Sequence, residues 1–376
     1  MIARTFTATI FAIIIVHHIV TTNVTFVFSE FSYAEINKKA TANVNYLSAT
    51  PLKAQLAKAK HKSSNILFVG DVMLARNVEF LMKKNGINYP FSRIDFSDFS
   101  PSPYVVGNFE AAIPVNHVHT EPRQLQFSVT TNQVEGLFDA GFTHLSLANN
   151  HSFDFGKNNF EHTVSTLKSK TIEPFGHPKI TYKDSVSIVQ TSDVTTALIA
   201  IHVLEKDYSD NEIKALFDYA TANSDIQIVY VHWGEEYSEK SSKRQQATAK
   251  VFVKHGADMI VGHHPHVVQE IGLVDGVPVF YSLGNYIFDQ YFSEAVQEGL
   301  LLNVDFSVGN PTITLIPVSS TDKLSSPAVM KTEAYQLFLS KLATISDPHY
   351  APYISQGVLP LQLPFATSTK IAMIDE

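Results

Sequence analysis

The sequence predicts an α/β fold in which two packed, mixed β-sheets carry helices on their outer faces. Three observations support this class. Apolar strand-like runs alternate with helix-like segments, which is the order that sheet crossovers produce. Paired strand-like runs at 185–201 and 298–318 predict that part of the sheet structure is antiparallel. Five polar clusters follow directly after predicted strands, where α/β sheets usually carry their sites.

The composition limits the class of protein. The chain has 376 residues, of which 45% are hydrophobic, so it can bury a full core and general disorder is excluded. It has no cysteine, which excludes disulfides, iron–sulfur clusters and thiolate zinc sites. The formal charge of −8 argues against broad nucleic-acid binding, which usually requires a basic face.

Residues 1–34 are predicted to be an export segment. Arg4 precedes an apolar stretch at 10–16 that is too short and broken for a membrane span, which needs about 20 apolar residues. The pattern matches a signal peptide better, and Ser32-Tyr33-Ala34 offers a small-residue cleavage site. We expect an extracytoplasmic protein, either secreted or held by this segment as a membrane anchor.

The rest of the chain divides into three parts. Residues 35–64 are rich in Ala, Lys, Asn, Ser and Thr and are expected to form a tether. Residues 65–320 form the predicted α/β domain. Residues 321–376 are expected to contain one helix and a tail that is irregular from Pro348.

Apolar periodicity predicts the elements of the domain in order. Predicted strands cover 65–69, 104–107, 142–148, 187–189, 197–201, 225–231, 259–262, 277–282, 300–306 and 312–318. Predicted helices cover 75–84, 133–140, 158–169, 209–222, 243–255 and 332–345. Glycine ends several of these helices, and Gly-Asn-Pro at 309–311 predicts a hairpin between the last two strands. The polar stretch 114–126, with His117, His119 and Arg123, is expected to form a loop over the site.

The polar clusters at the strand ends supply carboxylate, amide and imidazole groups without sulfur. They are Gly70-Asp71, Gly107-Asn108-Phe109-Glu110, Ala148-Asn149-Asn150-His151, Val231-His232 and Gly262 to His266. This ligand set suits one or two divalent ions such as Mn²⁺, Fe²⁺ or Zn²⁺. Two ions about 3.5–4 Å apart can clamp a phosphate and activate water.

Each cluster also has an ordinary structural interpretation. Asp71 can cap the following helix, Asn149 and Asn150 can serve a turn, and His232 can pack against Trp233. Glu235 and the glutamate after it carry little signal, since exposed Glu after a strand is common. Singly, the structural interpretations are favoured. Taken together, the five polar clusters at one edge of the sheets favour the metal site.

The stretch Gly262-His263-His264-Pro265-His266 carries three histidines within four positions. Pro265 disfavours helical geometry at His264, so His264 is predicted to be extended. In extended chain, residues two apart face the same side, so His264 and His266 are predicted to point together. Neutral imidazole is the commonest protein ligand for metals, and the pair makes half of a site.

Six motifs in the same order resemble a known family. They are Gly70-Asp71-Val72-Met73, Gly107-Asn108-Phe109-Glu110, Ser146 to His151 with Asp154 and Gly156, His232 to Tyr237, Gly262 to Gln269, and Tyr281 to Asp289. From about Ile66 to Gln290 the chain resembles the CapA-type poly-γ-glutamate (capsule) synthesis proteins, a branch of the calcineurin-like metallophosphatase superfamily. The resemblance implies a four-layer αββα sandwich.

The resemblance also implies roles for individual residues. Asp71 and Asn150 match metal ligands of the superfamily, as do the three later histidines His232, His264 and His266. His151 matches the histidine that protonates the leaving group, and Asn150 beside it is a second candidate catalytic residue. His263 is then expected to lie behind the ligands or at the surface.

Two positions depart from the superfamily pattern. Met73 stands where a histidine ligand is usual, and Asn108 stands where a bridging aspartate is usual. Both departures are typical of the CapA branch, and Asn108 remains a candidate ligand. From its position we expect Glu110 to replace the missing carboxylate, although it is not part of the superfamily pattern.

Two functions follow as hypotheses. The first is a metal-dependent hydrolase or transferase that acts on a phosphoester or on an amide of an anionic polymer such as poly-γ-glutamate. The second is a non-catalytic, membrane-tethered scaffold or polymer-binding component of a capsule polymer machine. Both imply membrane-embedded polymer synthesis proteins as partners and no nucleic acid. A free secreted nucleotidase fits the superfamily chemistry but fits the early motifs less well.

Overall fold

The computed structural model describes residues 64–361, except for 102, 180–182, 192–193 and 308–310. The predicted export segment (1–34) and, apart from Ser64, the predicted tether (35–64) lie outside the described residues. Within the described residues, no helix combines the length and the apolar character that a membrane crossing requires.

The first sheet is mixed and has nine strands, with its early and late strands side by side. Its strands are β1 (Asn65–Val72), β2 (Tyr104–Phe109), β3 (His144–Ser146), β4 (Glu173–Phe175), β11 (Asn285–Ile287), β12 (Glu298–Asp305), β13 (Thr312–Ser319), β14 (Ala328–Val329) and β15 (Val358–Pro360). The main order is β14-β13-β12-β1-β2-β3-β4, while β11 pairs with β1 and β15 with β13. β1 is parallel to β2 and antiparallel to β12, so the sheet changes direction beside β1.

The second sheet has six strands, and four of them are parallel. Its strands are β5 (Val186–Gln190), β6 (Thr195–His202), β7 (Ile226–His232), β8 (Met259–His263), β9 (Ile271–Val274) and β10 (Val277–Phe280). The order is β5-β6-β7-β8-β10-β9. β6, β7, β8 and β10 are parallel, and the antiparallel β5 and β9 form the two edges. The carboxyl ends of β6, β7 and β8 therefore lie at one edge.

The described part of the chain has seven α-helices; the first five cover the outer faces of the two sheets, and the last two pack against the core between the sheets. They are α1 (Arg76–Asn85), α2 (Gln133–Asp139), α3 (Gly156–Ser169), α4 (Asp210–Asn223), α5 (Lys243–Lys254), α6 (Thr332–Ile345) and α7 (Ala351–Gln356). Side chains of α1, α2 and α3 pack on the first sheet, and those of α4 and α5 pack on the second. Between the sheets lies a separate apolar core in which Phe68 and Tyr230 stand 5.9 Å apart, centroid to centroid. The four layers confirm the predicted αββα sandwich.

Local sequence explains how several helices begin. Ser209 and Glu212 form a capping box at α4, and Ser242 and Gln245 form another at α5. In each box the serine accepts a hydrogen bond from a free backbone N–H of the first turn. The predicted helix 332–345 matches α6 to the residue.

Some predicted elements need correction. The tail was predicted to be irregular from Pro348, but α7 and β15 occupy most of 351–360, and β15 adds a strand to the first sheet. The short strands β4, β9, β11 and β14 were not predicted, because two to four residues carry too little periodicity. The predicted hairpin is confirmed, since β12 and β13 pair antiparallel along their full length.

Candidate metal centre

The candidate site forms where strand ends of the two sheets meet. The first sheet contributes Asp71 and Asn108 from β1 and β2, and the second contributes His232 from the end of β7. Contacts cross between the sheets. Nδ2 of Asn108 lies 3.2 Å from Nδ1 of His232, and the backbone N–H of His264 donates to Oδ2 of Asp71 at 3.2 Å. The structure therefore brings together the clusters that the sequence placed at one edge.

The glycine before Asp71 is required by a close backbone approach. A Cβ at Gly70 would lie 2.1 Å from the carbonyl oxygen of Gly284, which no side chain can tolerate. This close approach lets the N–H of Asp71 donate to the same carbonyl at 3.0 Å. Gly70 therefore allows β1 to pack against the segment that leads into β11, and this contact fixes Asp71.

Asp71 is fully buried and accepts hydrogen bonds on both oxygens. Oδ1 accepts from Nδ2 of Asn108 at 2.7 Å, and Nδ1 of His263 lies 3.4 Å from it. Nδ1 of His266 lies 3.4 Å from Oδ2. Burial acts to raise the pKa of Asp71, but hydrogen bonds and attraction from His263 and His266 outweigh it and hold that pKa well below its usual value. Asp71 is therefore a carboxylate at neutral pH.

Asn108 links the groups of the first sheet. Its Nδ2 faces Asp71 and also lies 3.4 Å from Oε2 of Glu110. Its Oδ1 accepts from Nδ2 of Asn149 at 3.0 Å. In this arrangement the amide oxygen of Asn108 is engaged by Asn149, and the amide nitrogen holds two carboxylates without adding a third negative charge.

Glu110 is buried with one oxygen left without a hydrogen-bond partner. That oxygen, Oε1, lies 3.8 Å from Nε2 of His266 and 3.9 Å from Nε2 of His151. Burial raises the pKa of Glu110 to about 7; the Asp71 charge also raises it, while His266 and His151 oppose the shift. A buried carboxylate oxygen without a partner costs about 1–3 kcal/mol unless a ligand, water or ion meets it.

The backbone at His264 differs from its prediction. Its φ is +96°, and that of His266 is +58°, so Pro265 is flanked by two residues in the left-handed region and His264 is not extended. The predicted proximity nevertheless holds, because the two ring centroids lie 5.8 Å apart. The pair comes together through a tight turn after β8, which propensity rules could not anticipate for histidine.

His264 and His266 have opposite charge preferences. Burial, with repulsion from His266, lowers the pKa of His264 to about 3. Burial also opposes charge on His266, but the nearby Glu110 and Asp71 carboxylates raise its pKa to about 9. Nδ1 of His264 is buried without a hydrogen-bond partner. His264 is therefore neutral with an unused nitrogen, as a metal ligand requires.

His232 is buried, and burial holds its pKa well below the usual value. Its Nε2 lies 2.9 Å from Oδ1 of Asn150, an oxygen that can only accept, so Nε2 carries the proton. The lone pair of Nδ1 then faces Nδ2 of Asn108, 3.2 Å away. Asn150 thus orients His232 through its side-chain oxygen.

His151 is positioned by contacts on two sides. Its Nδ1 lies 3.1 Å from Oδ2 of Asp154, and its ring lies 4.1 Å from the ring of Phe127, centroid to centroid. The same Asp154 oxygen accepts the backbone N–H of Phe127 at 2.7 Å. Asp154 therefore sets the tautomer of His151 and leaves Nε2 directed toward Glu110.

Two groups of side chains have metal-ligand geometry. One is Glu110, His264 and His266, and the other is Asp71, Glu110 and His232. In each group the ligand atoms lie within 4.8 Å of one another, and Glu110 belongs to both. The donor set fits a divalent ion, and the unpartnered atoms on Glu110 and His264 support the fit.

Two buried histidines of this region were given no ligand role from the sequence. His202 ends β6 opposite His232, its Nδ1 lies 3.1 Å from the carbonyl of Pro178, and its Nε2 has no partner. The signal for His202 in the sequence is its position at the end of a predicted strand, the same signal that identifies His232. His263 is buried against Tyr230, so its placement at the surface is excluded.

The loop 114–126 is attached to helix α1. His117 and His119 lie 2.9 and 2.6 Å from the two carboxylate oxygens of Glu79. The loop ends at Phe127, the ring that covers His151. Met73, in contrast, turns away from ligation, because its sulfur accepts the backbone N–H of Ala75 at 3.0 Å.

Comparisons with known proteins agree with these motifs. A family model described as "Bacterial capsule synthesis protein PGA_cap" matches residues 65–290. The chain is 30% identical over 297 residues to the capsule biosynthesis protein CapA of Bacillus anthracis, which covers 72% of both chains. It is 27% identical over 337 residues to the PGA biosynthesis protein CapA of Bacillus subtilis (strain 168), covering 85% of this chain and 88% of the relative.

The solved structures that match this chain in a structural comparison are distant from it in sequence. A novel phosphatase from Mycoplasma pneumoniae has 12% identity and a TM-score of 0.43, over 71% of this chain and 90% of the other. A putative 5′-nucleotidase from Staphylococcus aureus has 10% identity and a TM-score of 0.43, over 78% and 58% of the two chains.

Proposed function

The chain belongs to the family of bacterial capsule synthesis proteins, and from that premise we propose that it is a metal-dependent hydrolase of capsule polymer synthesis or export. The observation that carries the proposal is the shared carboxylate. Glu110 belongs to both candidate ligand groups, stands two residues from the position that lost the superfamily aspartate, and keeps one oxygen without a partner. When bound there, Mn²⁺, Fe²⁺ or Zn²⁺ supplies Lewis-acid polarisation of the substrate and activation of water.

The chain's own residues account for the remaining chemistry. Nε2 of His151 faces the centre, so His151 donates a proton to the leaving group. Donation from Nε2 requires His151 to carry protons on both ring nitrogens, and in that form the Asp154 carboxylate accepts the Nδ1 proton and fixes the ring. Nδ2 of Asn108 contacts both Asp71 and Glu110 and holds them in fixed orientation, and this preorganisation lowers the cost of binding ions.

The substrate class follows from the family and the donor set. We propose a phosphoester, or an amide of an anionic polymer such as poly-γ-glutamate, and membrane-embedded polymer synthesis proteins as partners. The proposed location is outside the cytoplasm, with residues 1–34 as signal peptide or membrane anchor. A chain acting there would meet the polymer as it leaves the membrane.

Metal analysis joined to a turnover assay tests the proposal. The purified full-length protein is loaded with Mn²⁺, Fe²⁺ or Zn²⁺, its bound metal is measured, and hydrolysis of a model phosphodiester and of γ-glutamyl oligomers is followed. We expect His151→Ala to keep its metal and lose turnover, and His264→Ala to lose metal and turnover together. Absence of bound metal in the wild-type protein under all three conditions would refute the hydrolase.

A second function is favoured by two specific positions. Met73 supplies no ligand because its sulfur is used by Ala75, and Asn108 adds no charge. A centre weakened in this way suits a scaffold that binds polymer carboxylates without turnover. Under this alternative, cells carrying His151→Ala keep normal polymer output, whereas cells lacking residues 1–34 of this protein produce none.

A further inference from the structure

Arg76 is a buried cation beside the candidate metal centre with no role in the proposed chemistry. It begins helix α1, five positions after Asp71, and its side chain is only 9% exposed. Its φ of +53° is a left-handed conformation that is unfavourable for any residue with a side chain. The chain therefore keeps an arginine at a position where glycine would relieve the backbone.

Aromatic rings connect Arg76 to the centre. Its guanidinium carbon lies 4.6 Å from the ring centroid of Phe127 and 5.7 Å from that of Phe288. Phe127 contacts His151 at 4.1 Å and Phe288 contacts His266 at 4.5 Å, centroid to centroid. The guanidinium thus lies behind the two rings that line the proton donor and one ligand.

The hydrogen bonds of Arg76 leave one nitrogen available. Nε donates to Oδ2 of Asp289 at 3.1 Å, and Nη2 donates to Oδ1 of the same carboxylate. Asp289 is itself held by the backbone N–H of Asn77 at 3.2 Å. Nη1 donates to no acceptor in the described part of the chain. It is not a buried atom, so solvent can reach it. Arg76 is therefore oriented by Asp289 while one edge of its planar fork stays open.

The negative charge of the site indicates a function for the unpaired Nη1 edge of Arg76. Asp71 and Glu110 are buried carboxylates, so an anionic substrate that approaches them is repelled unless a cation is close. Guanidinium binds carboxylate and phosphate oxygens in a planar, charge-assisted manner that lysine cannot reproduce.

We propose that Arg76 forms an anion subsite that holds a non-reacting oxyanion of the substrate beside the metal centre, with Asp289 as its orienting partner. The oxyanion is a free carboxylate of a γ-linked glutamate polymer or a phosphate oxygen of a phosphoester. This inference rests on the proposed function for its substrate class, but not on turnover. Arg76 is here a binding residue, and Asp289 positions it.

Opposite effects of two substitutions test the subsite. A γ-linked glutamate pentamer and inorganic phosphate are each titrated into the full-length protein at low salt by calorimetry. We expect Arg76→Gln to weaken binding about tenfold, because a charge-assisted contact is lost. Arg76→Lys is expected to recover only part of the loss. Asp289→Asn is expected to strengthen binding a few-fold, because asparagine keeps one oxygen to orient the guanidinium while the competing negative charge is removed.

Controls separate binding from folding and from charge in general. Arg93→Gln removes an arginine that pairs with Asp322 through two 2.7 Å contacts elsewhere, and it should leave binding unchanged. A pentamer whose carboxylates are amidated should bind the wild type and every variant with the same affinity. Thermal melting of each variant records the loss of the Arg76–Asp289 pair itself.

The outcomes decide both the subsite and its ligand. Opposite effects with the pentamer support a carboxylate ligand, and opposite effects with phosphate alone support a phosphoester. If Asp289→Asn weakens binding as Arg76→Gln does, or neither changes it, the pair is only structural and the subsite is overturned. Repeating the titration on chelated, metal-free protein separates the hypotheses. Dependence on Arg76 that persists in a protein unable to bind metal upholds the subsite while the hydrolase fails.

Discussion

The two sheets contribute opposite kinds of half-site. On the first sheet, Asp71, Asn108 and Asn149 are joined by hydrogen bonds of 2.7 and 3.0 Å, so their polar atoms are largely satisfied by one another. On the second sheet, Nδ1 of His264 is buried without a partner. The first half-site is therefore largely satisfied by its own hydrogen bonds, whereas the second keeps one candidate ligand nitrogen, Nδ1 of His264, without a partner.

The difference teaches where the binding free energy of an ion would come from. Unpartnered buried nitrogens cost about 1–3 kcal/mol each, and an ion that meets them recovers this cost. Glu110 is the exception on the first sheet, because its Oε1 is also unpartnered. Glu110 therefore resembles His264 in keeping an unpartnered atom, and it is common to both candidate ligand groups. The following predictions test this contrast, from the largest expected effect to the smallest.

Removing Glu110 should have the largest effect. Both ligand groups contain it, so Glu110→Ala is expected to lower the affinity for both ions by about a thousandfold or more. Calorimetric titration with Mn²⁺ measures this. Glu79→Gln is the matched control, because Glu79 is an equally buried carboxylate whose partners are His117 and His119. Equal losses in both variants would mean that Glu110 acts only through stability.

The affinity for metal should rise with pH. Binding requires Glu110 without its proton and His266 neutral, and their pKa values are about 7 and about 9. We therefore expect about a tenfold gain per pH unit between pH 7 and 9, and a steeper dependence below 7. Titrations at several pH values measure the slope. A flat profile would show that neither group must lose a proton.

The metal-free protein should respond to pH in the opposite direction. Both groups have raised pKa values in the folded state, so each binds its proton more tightly there than in the unfolded chain. The contribution of Glu110 is complete below pH 4.5 and lost as pH rises through about 7. That of His266 is complete below pH 6.5 and lost as pH rises through about 9. Urea unfolding with a chelator present should follow these losses.

Substitutions of the two neighbouring histidines His263 and His264 should change the metal affinity by different amounts. His264→Gln is expected to weaken metal binding by about 10- to 100-fold, because His264 is a neutral ligand candidate with an unused nitrogen. His263→Gln should change it less than about threefold, since His263 belongs to neither ligand group. If both substitutions weaken metal binding to a comparable extent, the ligand role cannot be assigned to His264 alone.

Replacing Asn108 with aspartate should have a small effect of mixed sign. Asn108→Asp places a third carboxylate 2.7 Å from Asp71, so the metal-free protein should lose about 1–3 kcal/mol of unfolding free energy. With Mn²⁺ present the added charge should strengthen metal binding several-fold. Denaturation with and without metal measures both changes. Metal-free stability equal to that of the wild type would contradict the view that Asn108 separates two charges.

The sequence predicts which residues belong to the site better than it predicts how they are arranged. Strand-end reasoning located Asp71, Glu110 and His232, because parallel strands end at one edge whatever their side chains. It failed at His264, where the left-handed backbone depends on the close packing of the turn after β8 and not on local propensity. It also gave no role to Arg76, because a buried cation is recognisable only once the rings around it are placed.

The fold could be predicted in its long elements only. β1 and α6 carry enough apolar period to be found from sequence alone. The pairing of β11 with β1 could not be found, since it depends on the close backbone approach at Gly70. The short strand β15 was likewise invisible, because its pairing with β13 comes from tertiary packing.

The pairing of β1 with β12 has a consequence for the order in which the chain can fold. Asn65 pairs with Asp305, 240 residues later, so the first sheet cannot close until most of the polypeptide has been made. Contacts this distant in sequence form slowly, because loop closure is entropically costly. The candidate ligands span Asp71 to His266, so an incomplete chain has no centre to fill. An ion that binds the candidate centre as proposed would therefore be taken from the free ions of the compartment in which folding finishes.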